Sequence, residues 1–112
     1  MKRIVNVQEV EKKKVKEGIE MCVLAWGGNL MMTQVSFKKD AASDPHSHVH
    51  EQMSYVVKGE FVYTVGDQHF MVKEGHSIYI QSNVQHSVRA LTDGILIDVF
   101  TPIREDFLKK GD

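Results

Sequence analysis

The sequence holds a single cysteine, Cys22, so no disulfide can form within the chain and the disulfide-stapled secreted scaffolds are excluded. Flanked by Met21 and Val23, Cys22 reads as a small buried hydrophobe in a reducing compartment, the cytoplasm, and not as a nucleophile. There are two prolines, and no Pro-, Gly- or Ser-rich linker, repeat or low-complexity tract breaks the 112 residues. One domain over residues 1–112 is expected. Neither sign of charge prevails: 14 Lys and Arg face 15 Asp and Glu, a formal net charge of −1. That leaves no electrostatic footprint for nucleic acid or an anionic membrane. No apolar run approaches the roughly 20 residues that cross a bilayer, and Met1-Lys2-Arg3 leads into no apolar signal segment. The densest charge cluster, Glu11-Lys12-Lys13-Lys14-Val15-Lys16-Glu17, is flanked by acids and reads as a solvated turn in an N-terminal arm.

What is present is period-two patterning. From Gly18 on, β-branched and aromatic residues alternate with polar ones between turn signals such as Gly27-Gly28-Asn29, Ser43-Asp44-Pro45, Lys58-Gly59, Gly66-Asp67, Glu74-Gly75, Ser82-Asn83 and Asp93-Gly94. Strands are expected near residues 19–25, 30–37, 51–57, 60–65, 68–72, 77–80, 85–91 and 95–100. Eight short strands spaced by about ten residues make an all-β sandwich or barrel. Only Pro102 to Lys110 reads as helical, with Thr101 as cap, Pro102 in the first position and Glu105-Asp106 in the first turn.

Three of the six histidines fall in His46-Ser47-His48-Val49-His50, directly after Pro45. On a strand, alternate residues share a face, so such a segment presents several imidazoles to one point, and Gln52 has the same parity. Neutral imidazole is the commonest ligand for Zn, Ni, Fe and similar ions. His48-x-His50 is a competing pair, and His69 and His76 sit in turn-rich segments where surface roles are expected.

The spacing around this cluster resembles the two motifs of the cupin superfamily. Counting back seven residues from Gly59 reaches Gln52, in the position of the usual glutamate. Three residues separate it from His48, and one separates His48 from His46; that register leaves His50 outside the set. In the second motif Gly75 opens the count and His86 falls on the ligand histidine, with 15 residues between Gly59 and Gly75. Asp40 replaces the first glycine, and Gln81, Asn83 and Ala90 replace three residues of the second motif. The resemblance covers about residues 30–100. It implies an all-β cupin double-stranded β-helix, a jelly-roll-like barrel with its core over about 19–100 and a short C-terminal helix. It also implies one divalent transition metal held by His46, His48, Gln52 and His86, the ion being Ni, Zn, Fe, Mn or Co. A glutamine in place of glutamate leaves the +2 charge uncompensated, which favours an anionic substrate.

A second constellation lies in Ile95-Leu96-Ile97-Asp98-Val99-Phe100. If Ile95, Ile97 and Val99 pack outside, Asp98 points into the barrel mouth. Arg104 follows. The plain reading is an Asp98–Arg104 salt bridge closing the C-terminus; the functional one is a general acid/base beside an arginine that grips a carboxylate. Together, His46 to Gln52 and Asp98 to Leu108 resemble the small cupins of pectin and alginate degradation, which linearise 4,5-unsaturated uronates to 5-keto-4-deoxyuronate. That resemblance implies catalytic Asp98, Phe100 and Arg104, with Arg104 and Phe100 binding a small anionic sugar. Trp26 and Tyr55 are expected in the core. A cupin dioxygenase using Fe or Mn, or a non-enzymatic metal- or sugar-binding cupin, are the alternatives. The resemblance further implies a homodimer, with Ile4-Val5-Asn6-Val7 as an exchanged or edge strand.

Overall fold

Runs of alternating apolar residues pair into strands because each can bury one face and expose the other. In a computed structural model, which describes residues 2–109, they form β1 (Lys13–Lys16), β2 (Ile19–Gly27), β3 (Leu30–Phe37), β4 (Glu51–Lys58), β5 (Glu60–Val65), β6 (Gln68–Lys73), β7 (Ser77–Ile80), β8 (His86–Ala90) and β9 (Gly94–Thr101). All pair antiparallel. A six-stranded sheet runs β1-β2-β3-β9-β4-β7, and a three-stranded one runs β6-β5-β8. Between them lies a core built on Ile19, Phe37, Val56, Phe61, Ile80 and Leu96, with Phe37 and Phe61 in an edge-to-face contact at 5.3 Å. This is the all-β cupin barrel that the motifs imply.

The two glycine departures leave the turns intact. Asp40 (φ 72°) and Asn83 (φ 65°) are the non-glycine residues with positive φ among the described residues, and short Asp and Asn side chains tolerate that region best. Gly59 cannot be varied in this way. Its φ is 90°, and a Cβ there would lie 2.5 Å from the Asp93 carbonyl oxygen.

Three expectations are corrected. The lysine cluster is not a turn: Lys13–Lys16 is an edge strand on β2, where charged side chains protect an open edge. Ile4 to Val7 forms no edge strand within the chain; Ile4 is exposed and the segment enters a turn. The C-terminal helix shrinks to one 3₁₀ turn, Glu105–Leu108. Thr101 cannot cap a helix because its backbone ends β9, opposite Glu51, and four residues are too few for a stable α-helix. Lys110, the expected end of that helix, lies outside the described residues. Among the described residues, no helix is long and apolar enough to cross a membrane.

Candidate metal centre

Strand register assembles one wall of the site. On the inner face of the six-stranded sheet, β9 places Asp98 between Thr33 of β3 and Ser54 of β4, and Phe100 between Met31 and Gln52. Leu96, Asp98 and Phe100 are buried while Ile95, Ile97 and Val99 face outward, so the alternation directs the acid inward. Gln52 and Ser54 reach the same face by the same parity on β4.

His46 and His48 arrive from a loop, not from a strand, which corrects the expected basis of their shared face. Residues 43–50 form no strand. Instead His46 and His86 exchange backbone hydrogen bonds, His46 N to His86 O at 3.0 Å and His86 N to His46 O at 2.8 Å, and this pairs the loop with the start of β8. One ring nitrogen from each of His46, His48 and His86 lies within 4.8 Å of the others.

The backbone sets the tautomers. Nδ1 of His46 meets Asp44 O at 2.8 Å, that of His48 meets His50 O at 3.0 Å, and that of His86 meets Val84 O at 2.9 Å. A carbonyl only accepts, so each Nδ1 carries a proton, and in its neutral form each ring presents a bare Nε2. Burial lowers the pKa of His86 to about 4, helped by the neighbouring His46, His48 and Arg104. Burial, then Arg104, lowers that of His48 as well. His86 Nε2 is buried without a partner. Gln52 Oε1 lies 3.1 Å from His48 Nε2, so two lone pairs face each other where a cation would satisfy both. Three neutral imidazoles and an amide oxygen fit a divalent transition ion; this donor set does not select among the metals.

Beside this cluster opens a cavity of about 350 Å³, lined by Tyr63, Gln52, Asp98, Phe100, Arg104 and others. Burial raises the pKa of Asp98 to about 6, against the pull of the Ser54 hydroxyl, the Arg104 charge and the Gln52 amide. Ser54 Oγ stands 2.5 Å from Asp98 Oδ1. Phe100 stands edge-on to His48, at 5.8 Å between ring centroids. The Arg104 guanidinium carbon lies 5.2 Å from the Phe100 ring centroid and 4.2 Å from that of Phe107. Arg104 is not bridged to Asp98: its Nε and Nη2 donate to the two carboxylate oxygens of Asp106 at 3.1 and 2.9 Å.

Other candidates fall elsewhere. His50 turns away, its Nε2 donating to Ile103 O at 3.1 Å. His69 and His76 are exposed and make local bonds. Trp26 and Tyr55 are neither in the core nor in the cavity. Both are exposed; Tyr55 shares the outward parity of Glu51 and Met53. Sequence reasoning missed Ser54, Tyr63 and Asp106. The inward parity of Ser54 was visible, but its place opposite Asp98 depends on a pairing between distant strands.

Known proteins bear on these features. The cupin domain family matches residues 33–100. The chain is 34% identical over 110 residues to the pectin degradation protein KdgF of Dickeya dadantii (strain 3937), covering 96% of this chain and 100% of that one. Among solved structures it is similar to an RmlC-like cupin from Shewanella frigidimarina, with a TM-score of 0.91 and 34% identity over 96% of each chain. It is likewise similar to KdgF from Halomonas sp., with a TM-score of 0.89 and 29% identity over 95% of this chain and 98% of that one. With its two sheets, its loop of histidines and a family match over more than half its length, the chain belongs to the cupin domain family.

Proposed function

We propose that this protein is a metal-dependent enzyme that opens 4,5-unsaturated uronate monosaccharides and converts them to linear 5-keto-4-deoxyuronate, acting as a homodimer in the cytoplasm. The observation that carries the reading is a buried acid, Asp98, with its pKa raised to about 6, in one cavity with Arg104 and with His46 and His86, two of the three clustered imidazoles. Similarity to a pectin degradation protein supports the substrate class, and the free, buried Cys22 suits a reducing compartment.

The reaction moves one proton. The anomeric hydroxyl loses it as the C1 to ring-oxygen bond breaks, an aldehyde forms at C1, and the enolate left at C5 gains the proton at C4 to become the ketone. A divalent ion on His46, His48, Gln52 and His86 would supply Lewis-acid stabilisation of the developing oxygen charge. Asp98, with a pKa near neutrality, is suited both to take the proton from oxygen and to return it at C4. Arg104 binds the substrate carboxylate, and Phe100 gives the sugar an apolar face beside it. The all-neutral donor set leaves the site positive, which suits an acidic sugar.

The test follows the loss of ultraviolet absorbance of the unsaturated sugar. Metal-loaded wild type is expected to accelerate it, and Asp98→Ala to slow it by at least about 100-fold. A wild-type rate equal to the spontaneous one overturns the reading. If metal content and oxygen consumption instead point to an Fe or Mn oxygenase, the dioxygenase alternative replaces it.

A further inference from the structure

Ser54 has no part in the chemistry above, yet it touches both halves of the site. It is buried on β4, opposite Asp98. Gln52 Nε2 donates to Ser54 Oγ at 3.1 Å, and Ser54 Oγ donates to Asp98 Oδ1 at 2.5 Å. The chain of bonds has a direction, because an ionised carboxylate only accepts and a hydroxyl has one proton to give. Asp98 takes the Ser54 proton, so the lone pairs of Ser54 are what remain for Gln52. Only the amide NH₂ can use them. Its oxygen is thereby turned the other way, to within 3.1 Å of His48 Nε2.

The two ends of an amide are not equivalent towards a metal: the oxygen is a ligand and the NH₂ is not. Reversed, the Gln52 NH₂ would donate to the bare Nε2 of His48 and occupy the place of an ion. We infer that Ser54 is a positioning residue that selects the amide orientation of Gln52, presenting its oxygen to the metal, and holds the Asp98 carboxylate with the same hydroxyl. This rests on the reading of Gln52 as a metal ligand given above.

The test uses zinc as the probe. Zinc affinity of the chelator-stripped full chain is measured by competition with a metallochromic chelator. Ser54→Ala is expected to bind zinc about 10 to 100-fold more weakly than wild type. Gln52→Ala is expected to weaken binding as well, and in that background Ser54→Ala adds little, because no amide is left to orient. Wild-type affinity in Ser54→Ala, or an equal loss in both backgrounds, overturns the inference. An unchanged affinity in Gln52→Ala overturns it together with the ligand assignment. If Ser54→Ala and Gln52→Ala weaken zinc binding non-additively while the wild type shows no uronate turnover, the functional reading falls and the positioning role stands. A second measurement needs no variant. In the ¹⁵N-labelled, zinc-loaded wild type, the Gln52 side-chain NH₂ protons are expected to be protected from exchange; free exchange overturns the inference.

Discussion

At Asp98 an acid occupies a strand position whose same-face neighbours are Leu96 and Phe100, and burial lifts its pKa from 3.8 to about 6. Between those values the folded chain keeps a proton that the unfolded chain releases. The stability associated with this group is therefore complete at low pH, declines as pH rises towards about 6, and stays reduced above it. A gap of about two units corresponds to up to ~3 kcal/mol. Asp98→Asn keeps an acceptor for Ser54 and carries no charge. The metal-free variant is expected to be more stable than wild type by up to ~3 kcal/mol at pH 8 and equal to it near pH 4, while losing turnover. His86, lowered to about 4 by burial, acts in the opposite sense: its contribution is present above the ordinary 6.5 and is lost as pH falls through about 4. In wild type the two slopes oppose each other between roughly pH 4 and 6, and Asp98→Asn exposes the histidine slope. Urea denaturation across pH, with a chelator present, measures both; equal stabilities at pH 8 would refute the burial argument.

Among the elements, β4 and β9 do most to arrange the cavity, and each was legible for its own reason. Alternation along Ile95 to Phe100 showed which side Asp98 and Phe100 take, and turn residues bounded the strands closely. The pairing Gln52 with Phe100 and Ser54 with Asp98 was not legible, because parity says which face a residue takes and not which distant residue lies opposite. The histidine loop was read as a strand because period-two spacing looks the same in an extended loop. The C-terminal turn was read as a helix because its capping residues were present, although β9 holds Thr101 in its ladder. That turn matters to the site through Asp106, which takes the Nε and Nη2 edge of Arg104 and, on the proposed function, holds the guanidinium in place for the substrate carboxylate. Asp106→Asn is expected to raise KM for the unsaturated uronate about tenfold with kcat within about twofold, the pattern of lost ground-state binding. An unchanged KM in steady-state kinetics would show that the stacking of Arg104 on Phe107 suffices to aim it.

For the molecule as a whole, the outer face of the six-stranded sheet calls for an explanation. Register lines up Met32, Val99, Met53 and Tyr79 in one row across β3, β9, β4 and β7, and Gln34, Ile97, Tyr55 and Ser77 in the next. Met53 is 58% exposed, Tyr55 49% and Tyr79 48%. Contiguous apolar patches of this kind mark interaction surfaces, whereas single exposed side chains do not. The homodimer proposed above would use this face: two such faces related by a two-fold axis would stack sheet on sheet about 10 Å apart. The proposed homodimer is thus assigned to the β9 and β4 seam. Light scattering at tens of micromolar is expected to give twice the chain mass for wild type. Met53→Glu and Tyr55→Glu, which place charge at the centre of the seam, are expected to give single chains. Both side chains point away from the cavity, so the monomers should still bind zinc with wild-type affinity. A wild type that runs as a single chain, or variants that remain paired, would move the interface elsewhere or remove it.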